Sequence, residues 1–110
     1  MNIEKINWSD IDEVEARPGI FRKSLTMGNM QVVQYRYLPG SVFEAHSHPE
    51  EQMTIGLTGE LEFEVGGRIF DFTKGDVVHV PSNVPHSAVN RGSEEALTLN
   101  IYHPARKVAP

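Results

Sequence analysis

His46 and His48 stand two residues apart, and the amide of Gln52 follows four residues later. On an extended backbone, side chains alternate between faces, so residues i and i+2 share one. Both imidazoles then point the same way and make two arms of a metal site that needs one or two more ligands from elsewhere in the chain. The competing reading is a pair of polar side chains on a solvated face. A second stretch, residues 75–90, weighs against it: Gly75 and Pro81 bracket a short apolar run, and Pro85 stiffens the approach to a third histidine, His86. Glu50 and Glu51 are close to the pair, but the register favours Gln52, and both acids are expected to face solvent at the mouth of the site. The chain has no cysteine, so thiolate nucleophiles and disulfides are excluded and any metal must be held by nitrogen and oxygen.

At 110 residues the chain is long enough for one domain with its own core and too short for two. Its 39% hydrophobic and 23% charged residues are ordinary for a folded soluble protein. A formal charge of −5, with no basic run and no aromatic-plus-arginine platform, argues against a nucleic-acid partner. No apolar stretch approaches the roughly 18 residues of a membrane span, and no signal peptide is recognisable. A soluble, cytoplasmic protein with no membrane partner is the expectation.

The elements that must position the histidines read as strands. Residues 20–27 alternate loosely and stop at Gly28-Asn29, a hairpin turn; residues 30–38 are rich in β-branched and aromatic side chains and end at Pro39-Gly40. Residues 52–57 form a strand closed by Thr58-Gly59. Residues 60–65 alternate cleanly, with Leu61, Phe63 and Val65 inward and Glu60, Glu62 and Glu64 toward water. Gly66-Gly67 turns the chain back into residues 68–72, and strands follow at 77–80, 85–90 and 96–102. Before them, residues 7–15 can make a short helical turn starting at Ser9 or Asp10, with Trp8 as a packing anchor. Roughly nine or ten short strands with regular turns and almost no helix are the pattern of an all-β sandwich or barrel. The expected organisation is one domain: an N-terminal arm over 1–25, a barrel over 26–104 and a tail over 105–110. His79, flanked by valines, reads as a structural or exposed histidine, and His103 as a weak supporting candidate.

Taken together, the two stretches resemble the cupin superfamily. Its first motif, G-x5-H-x-H-x3/4-E-x6-G, is matched by Gly40, His46, His48, Gln52 and Gly59, with glutamine in place of glutamate. Its second, G-x5-P-x-G-x2-H-x3-N, is matched by Gly75, Pro81, Asn83, His86 and Asn90, with asparagine at one glycine position. The resemblance implies a single-domain jelly-roll β-barrel, in agreement with the strand pattern. It also implies a divalent transition metal (Mn, Fe, Ni, Zn or Cu) held in the barrel mouth by His46, His48, Gln52 and His86. Four neutral ligands leave such an ion its full positive charge, which strengthens it as a Lewis acid and draws anionic substrates.

The ending, with Asn100, Tyr102, Pro104 and Arg106, is similar to that of small single-domain cupins related to the pectin-degradation protein KdgF. Those carry Asp-x-Phe-x-Pro-x-Arg there, with His-His-Gln-His metal ligands. They linearise 4,5-unsaturated uronates to ring-opened ketouronates. The resemblance implies that Asn100, Tyr102 and Arg106 are the catalytic set and that the substrate is a small anionic organic acid. Arg106 would clamp its carboxylate. Period 2 puts Thr98, Asn100 and Tyr102 on one face, the lumen. The departure is Asn100, because an amide cannot shuttle a proton at neutral pH as the family aspartate does. The alternatives are a quercetinase-like metal-dependent dioxygenase and a non-catalytic sugar- or acid-binding module. A hydrophobic outer sheet leads to the further expectation of a homodimer.

Overall fold

The computed structural model describes residues 3–107. Ten strands account for most of them: β1 (Val14–Arg17), β2 (Ile20–Met27), β3 (Met30–Tyr37), β4 (Val42–His46), β5 (Glu51–Thr58), β6 (Glu60–Val65), β7 (Arg68–Thr73), β8 (Val77–Val80), β9 (His86–Val89) and β10 (Ala96–His103). They form a six-stranded sheet in the order β1-β2-β3-β10-β5-β8 and a four-stranded sheet in the order β4-β9-β6-β7. Every pairing is antiparallel, as in a jelly roll.

The turns sit where the sequence marks them. Gly28, Gly66 and Gly67 adopt positive φ at the hairpins between β2 and β3 and between β6 and β7. Gly59 is irreplaceable for a second reason: a Cβ there would collide with the backbone of Glu95 and Ala96. Asn83, which stands where the second motif has glycine, has φ 64°. Asparagine tolerates the left-handed region better than other side chains, so the substitution keeps the turn.

Period 2 then sorts the side chains of the large sheet. On β10, Ala96, Thr98, Asn100 and Tyr102 are buried, each 2% exposed or less, while Leu97, Leu99 and Ile101 are only partly covered. The register aligns inward-facing rows across three strands. Gln31, Tyr102 and Gln52 form one row, and Val33, Asn100 and Thr54 the next. The smaller sheet contributes Phe43, Leu61, Phe63, Phe72 and Ala88, which pack with Ile20, Tyr35 and Tyr37 into the apolar core.

The N-terminal segment is more integrated than an arm. Asn7 caps a single 3-10 turn, Trp8–Asp10, by accepting from the Ser9 amide at 2.9 Å. The chain then enters β1, which pairs with β2, and Ile20 is fully buried. Residues 14–25 are therefore part of the large sheet, and Trp8 is partly exposed and outside the core. Of the tail, residues 108–110 lie outside the described residues, whereas 105–107 fold back against Gln31. Among the described residues no helix is long and apolar enough to cross a membrane.

Candidate metal centre

Two of the three histidines meet because β4 and β9 pair: His46 lies directly opposite His86. Their rings are 4.2 Å apart by centroid, and His48 adds a third ring 4.9 Å from His86. His48 sits in the loop after β4, and the Asn83 amide pins that loop by donating to the His48 carbonyl at 2.8 Å. The Ser82 hydroxyl adds a 2.6 Å bond to the Pro49 carbonyl.

The same local device orients each ring. Nδ1 of His46 lies 3.0 Å from the Glu44 carbonyl, that of His48 2.9 Å from the Glu50 carbonyl, and that of His86 2.9 Å from the Val84 carbonyl. A carbonyl only accepts, so each Nδ1 carries the proton and donates. Each Nε2 is left with a bare lone pair, the tautomer that binds metal. One ligand atom from each ring falls within 4.8 Å of the others. Nε2 of His86 is buried without any hydrogen-bond partner, which is costly unless something else binds it. Burial also holds the His46 imidazole down to about 4 and pushes His48 and His86 below the ordinary range, so all three stay neutral.

Gln52 completes the set from β5. Its Oε1 is 3.0 Å from Nε2 of His48. With the His48 proton on Nδ1, these are two lone-pair atoms facing each other, an arrangement that a shared cation would relieve. The residues therefore fit a bound divalent metal on the chemistry of the donors. Beside them is a cavity of about 10 Å³ bordered by Tyr35, Phe43, His46, Gln52, His86 and Tyr102. That is room for about one water-sized occupant.

The other sequence candidates divide. Tyr102 is buried on the same face, its ring 5.6 Å from His48, and burial raises its phenol well above the ordinary value. Arg106 reaches back over Tyr102, its guanidinium carbon 5.0 Å from the ring centroid and its Nε 3.8 Å from Glu50. Asn100 lies behind Gln52, 2% exposed. Its Oδ1 accepts from Thr54 and Gln52, and its Nδ2 donates to the Val33 carbonyl and to Thr98. Its side chain has no free edge toward the mouth. His79 is exposed and bonded to Glu51 at 2.6 Å, as a structural histidine would be. His103 faces the outer side of β10, with its Nε2 3.4 Å from Asn29 Nδ2, and is not brought to the site.

Three residues of the site are not visible in the sequence pattern. Glu50 does not face solvent: its side chain is 18% exposed, lodged between His48 and Arg106. Gln31 holds the backbone of Arg106 at both ends, accepting from its amide and donating to its carbonyl, each at 3.1 Å. Thr54 donates to Asn100 at 2.7 Å and accepts from Gln52 at 2.8 Å. Period 2 shows that Thr54 shares the face of Gln52, but no motif singles it out.

A two-sheet antiparallel barrel carrying three converging imidazoles at one end defines a class: a jelly-roll protein built around a metal site in its mouth. Residues 33–102 match the cupin domain family, and the chain belongs to it. Its fold superposes on an RmlC-like cupin from Shewanella frigidimarina with a TM-score of 0.86, at 23% identity over 96% of this chain and 95% of that one. KdgF from Halomonas sp. gives a TM-score of 0.85, at 25% identity over 97% of both chains. In sequence, the H2HPP isomerase of Bacillus subtilis is 29% identical over 89 residues, or 80% of this chain. The match spans only 38% of that relative's length.

Proposed function

We propose that this protein is a metal-dependent isomerase that opens the ring of small anionic sugar-derived substrates, 4,5-unsaturated uronates. The observation that carries the reading is the juxtaposition of an anion-binding group and a metal site: Arg106 lies over Tyr102, whose ring borders His48. The likeness to KdgF over both whole chains supports it, as does the isomerase named among the relatives. A divalent transition metal on His46, His48, Gln52 and His86 would supply Lewis acidity, polarising a substrate oxygen and stabilising enolate charge.

The chain's own groups do the rest. Arg106 would hold the substrate carboxylate through paired N–H donors, displacing Glu50. The sugar ring would sit at the mouth, against Tyr102. Asn100 cannot move protons, since an amide has none to exchange at neutral pH and every edge of this one is bonded. Glu50, half-buried beside Arg106, takes over that role. It accepts the proton of the anomeric hydroxyl as the ring C–O bond breaks. It then returns that proton to the carbon of the opened enolate, so no atom is gained or lost. The test is metal-loaded protein with unsaturated uronates, followed by loss of the conjugated-alkene absorbance and by proton NMR of the linear ketouronate. If no unsaturated uronate is consumed, this reading fails. Oxygen uptake during turnover would then favour the dioxygenase, and tight binding without product the binding module.

We also propose that two copies pair through the outer face of the large sheet. Met30, Met53 and Val77 are 59%, 46% and 58% exposed there, next to the partly covered Leu99 and Ile101. Apolar surface of this kind on a sheet face is unusual for a monomer. Light scattering at micromolar concentration should give a dimer mass, and a monomer mass would overturn the pairing.

A further inference from the structure

We infer that Asn100 and Thr54 are positioning residues for Gln52: they relay hydrogen-bond polarity from the backbone carbonyl of Val33 to the Gln52 amide and so commit its oxygen to the metal. The inference rests on the metal-centre part of the reading above and not on the identity of the substrate.

The relay starts at a group whose polarity cannot change. The Val33 carbonyl is an acceptor, so the Asn100 atom 3.1 Å from it must be the amide nitrogen. That orients Oδ1 of Asn100 toward β5. The Thr54 hydroxyl has one proton and spends it on this oxygen at 2.7 Å. Only a lone pair of Thr54 is then left for Gln52, so the Gln52 atom 2.8 Å away must be the amide nitrogen. The same nitrogen meets Asn100 Oδ1 at 3.3 Å, which demands a donor as well. With both N–H groups of Gln52 spent, its oxygen has one direction left, toward Nε2 of His48 at 3.0 Å. The flipped amide would put a nitrogen, which cannot ligate, at the metal and an oxygen against two acceptors.

The register makes this possible. Asn100 is paired with Val33 on one side and Thr54 on the other, so one inward-facing row crosses three strands directly behind the ligand row of Tyr102 and Gln52. All three members of the relay are at most 4% exposed, so water cannot substitute for a missing partner. The relay also accounts for an amide at position 52. A glutamate would turn a second carboxylate oxygen toward Asn100 Oδ1 and Thr54, three acceptors sharing one hydroxyl proton.

The test uses Co²⁺ as the probe on the full chain, with affinity read by calorimetry and ligand geometry by the visible absorption of the bound ion. Thr54→Val and Asn100→Leu should each weaken Co²⁺ binding by about 10-fold or more and alter the spectrum. In a Gln52→Ala background, Thr54→Val should have no further effect on affinity, since Thr54 acts through Gln52. Metal-free thermal unfolding verifies that each variant folds, and if Asn100→Leu does not, the Thr54 and Gln52 cycle decides alone. Unchanged affinity and spectrum in Thr54→Val, or an equal loss in both backgrounds, would overturn the relay. A wild-type protein that binds no Co²⁺ would overturn the metal centre with it, a result distinct from a site that binds but ignores Thr54.

Discussion

The two sheets differ in how polar their inner faces are. The inner face of the large sheet carries Gln31, Gln52, Thr54, Thr98 and Asn100, all buried, whereas its outer face carries Met53, Ile55, Leu99, Ile101 and Val77. In most two-layer β proteins the apolar stripe faces the core and the polar one faces water. Buried polar groups cost free energy unless each finds a partner, so a polar inner face persists only where it is fully bonded or put to use. Here both hold: Asn100 and Thr54 are bonded among themselves, and Gln52 spends its remaining atom on the imidazole cluster. The apolar core is shared: the smaller sheet gives Phe43, Leu61, Phe63, Phe72 and Ala88, and the large sheet gives Ile20, Val33, Tyr35, Tyr37, Val80, Ala96 and Tyr102. Interior polarity therefore marks the candidate site, and exterior apolarity is the ground for the proposed pairing of two copies.

The sharpest break in the comparison is at the imidazoles. His86→Ala removes the ligand whose Nε2 is otherwise stranded, and should reduce metal content to near background in protein purified without added metal. Retention of full metal content in that variant would remove His86 from the ligand set. Next in size, a charge on the outer face, such as Ile101→Asp, should shift light scattering from dimer to monomer while leaving metal content intact. A change in metal content alone would mean that the two faces are coupled and not separable as drawn here.

Arg106→Ala should raise KM by about 10- to 100-fold with metal content unchanged, the equivalent of one charge-assisted contact of about 1.5–3 kcal/mol. A fall in kcat at constant KM would instead give Arg106 a part in the chemical step. Gln31→Leu, which frees the Arg106 backbone, should shift KM the same way by less.

The smallest effect is on pH. An unfolded histidine titrates near ~6.5, whereas folding holds His46 down to about 4 and lowers His48 and His86 as well. The unfolded chain thus binds more protons across that interval. Metal-free protein should have its full stability above roughly pH 6.5 and lose it progressively as pH falls toward 4. Chemical denaturation at pH 7, 5.5 and 4.5 would read the slope. Metal release should follow the same direction as pH falls, because ligands must be neutral to bind.

What the sequence alone determined was periodic or punctuated. Alternation and turn residues laid out the strands from residue 20 to 102 apart from β4, and the cupin resemblance carried by the spacing of the two motifs offered His46, His48, Gln52 and His86 as candidate ligands. Period 2 also put Thr98, Asn100 and Tyr102 on one face. Tertiary structure decided what depends on residues far apart in the chain. That β1 joins the sheet follows from its pairing with β2, which weak alternation in residues 14–17 does not announce. That Glu50 turns inward follows from Arg106, 56 positions away, arriving beside it. The role of Asn100 changed most. Sequence position aligns it with a proton-transferring aspartate, but cross-strand register sets it between the Val33 carbonyl and Thr54, where its two edges are consumed as donor and acceptor. Local patterns specify which face a side chain occupies. Only the packing of strands against one another specifies which partner waits for it there, because those partners are brought near by hydrogen-bonded register and not by sequence.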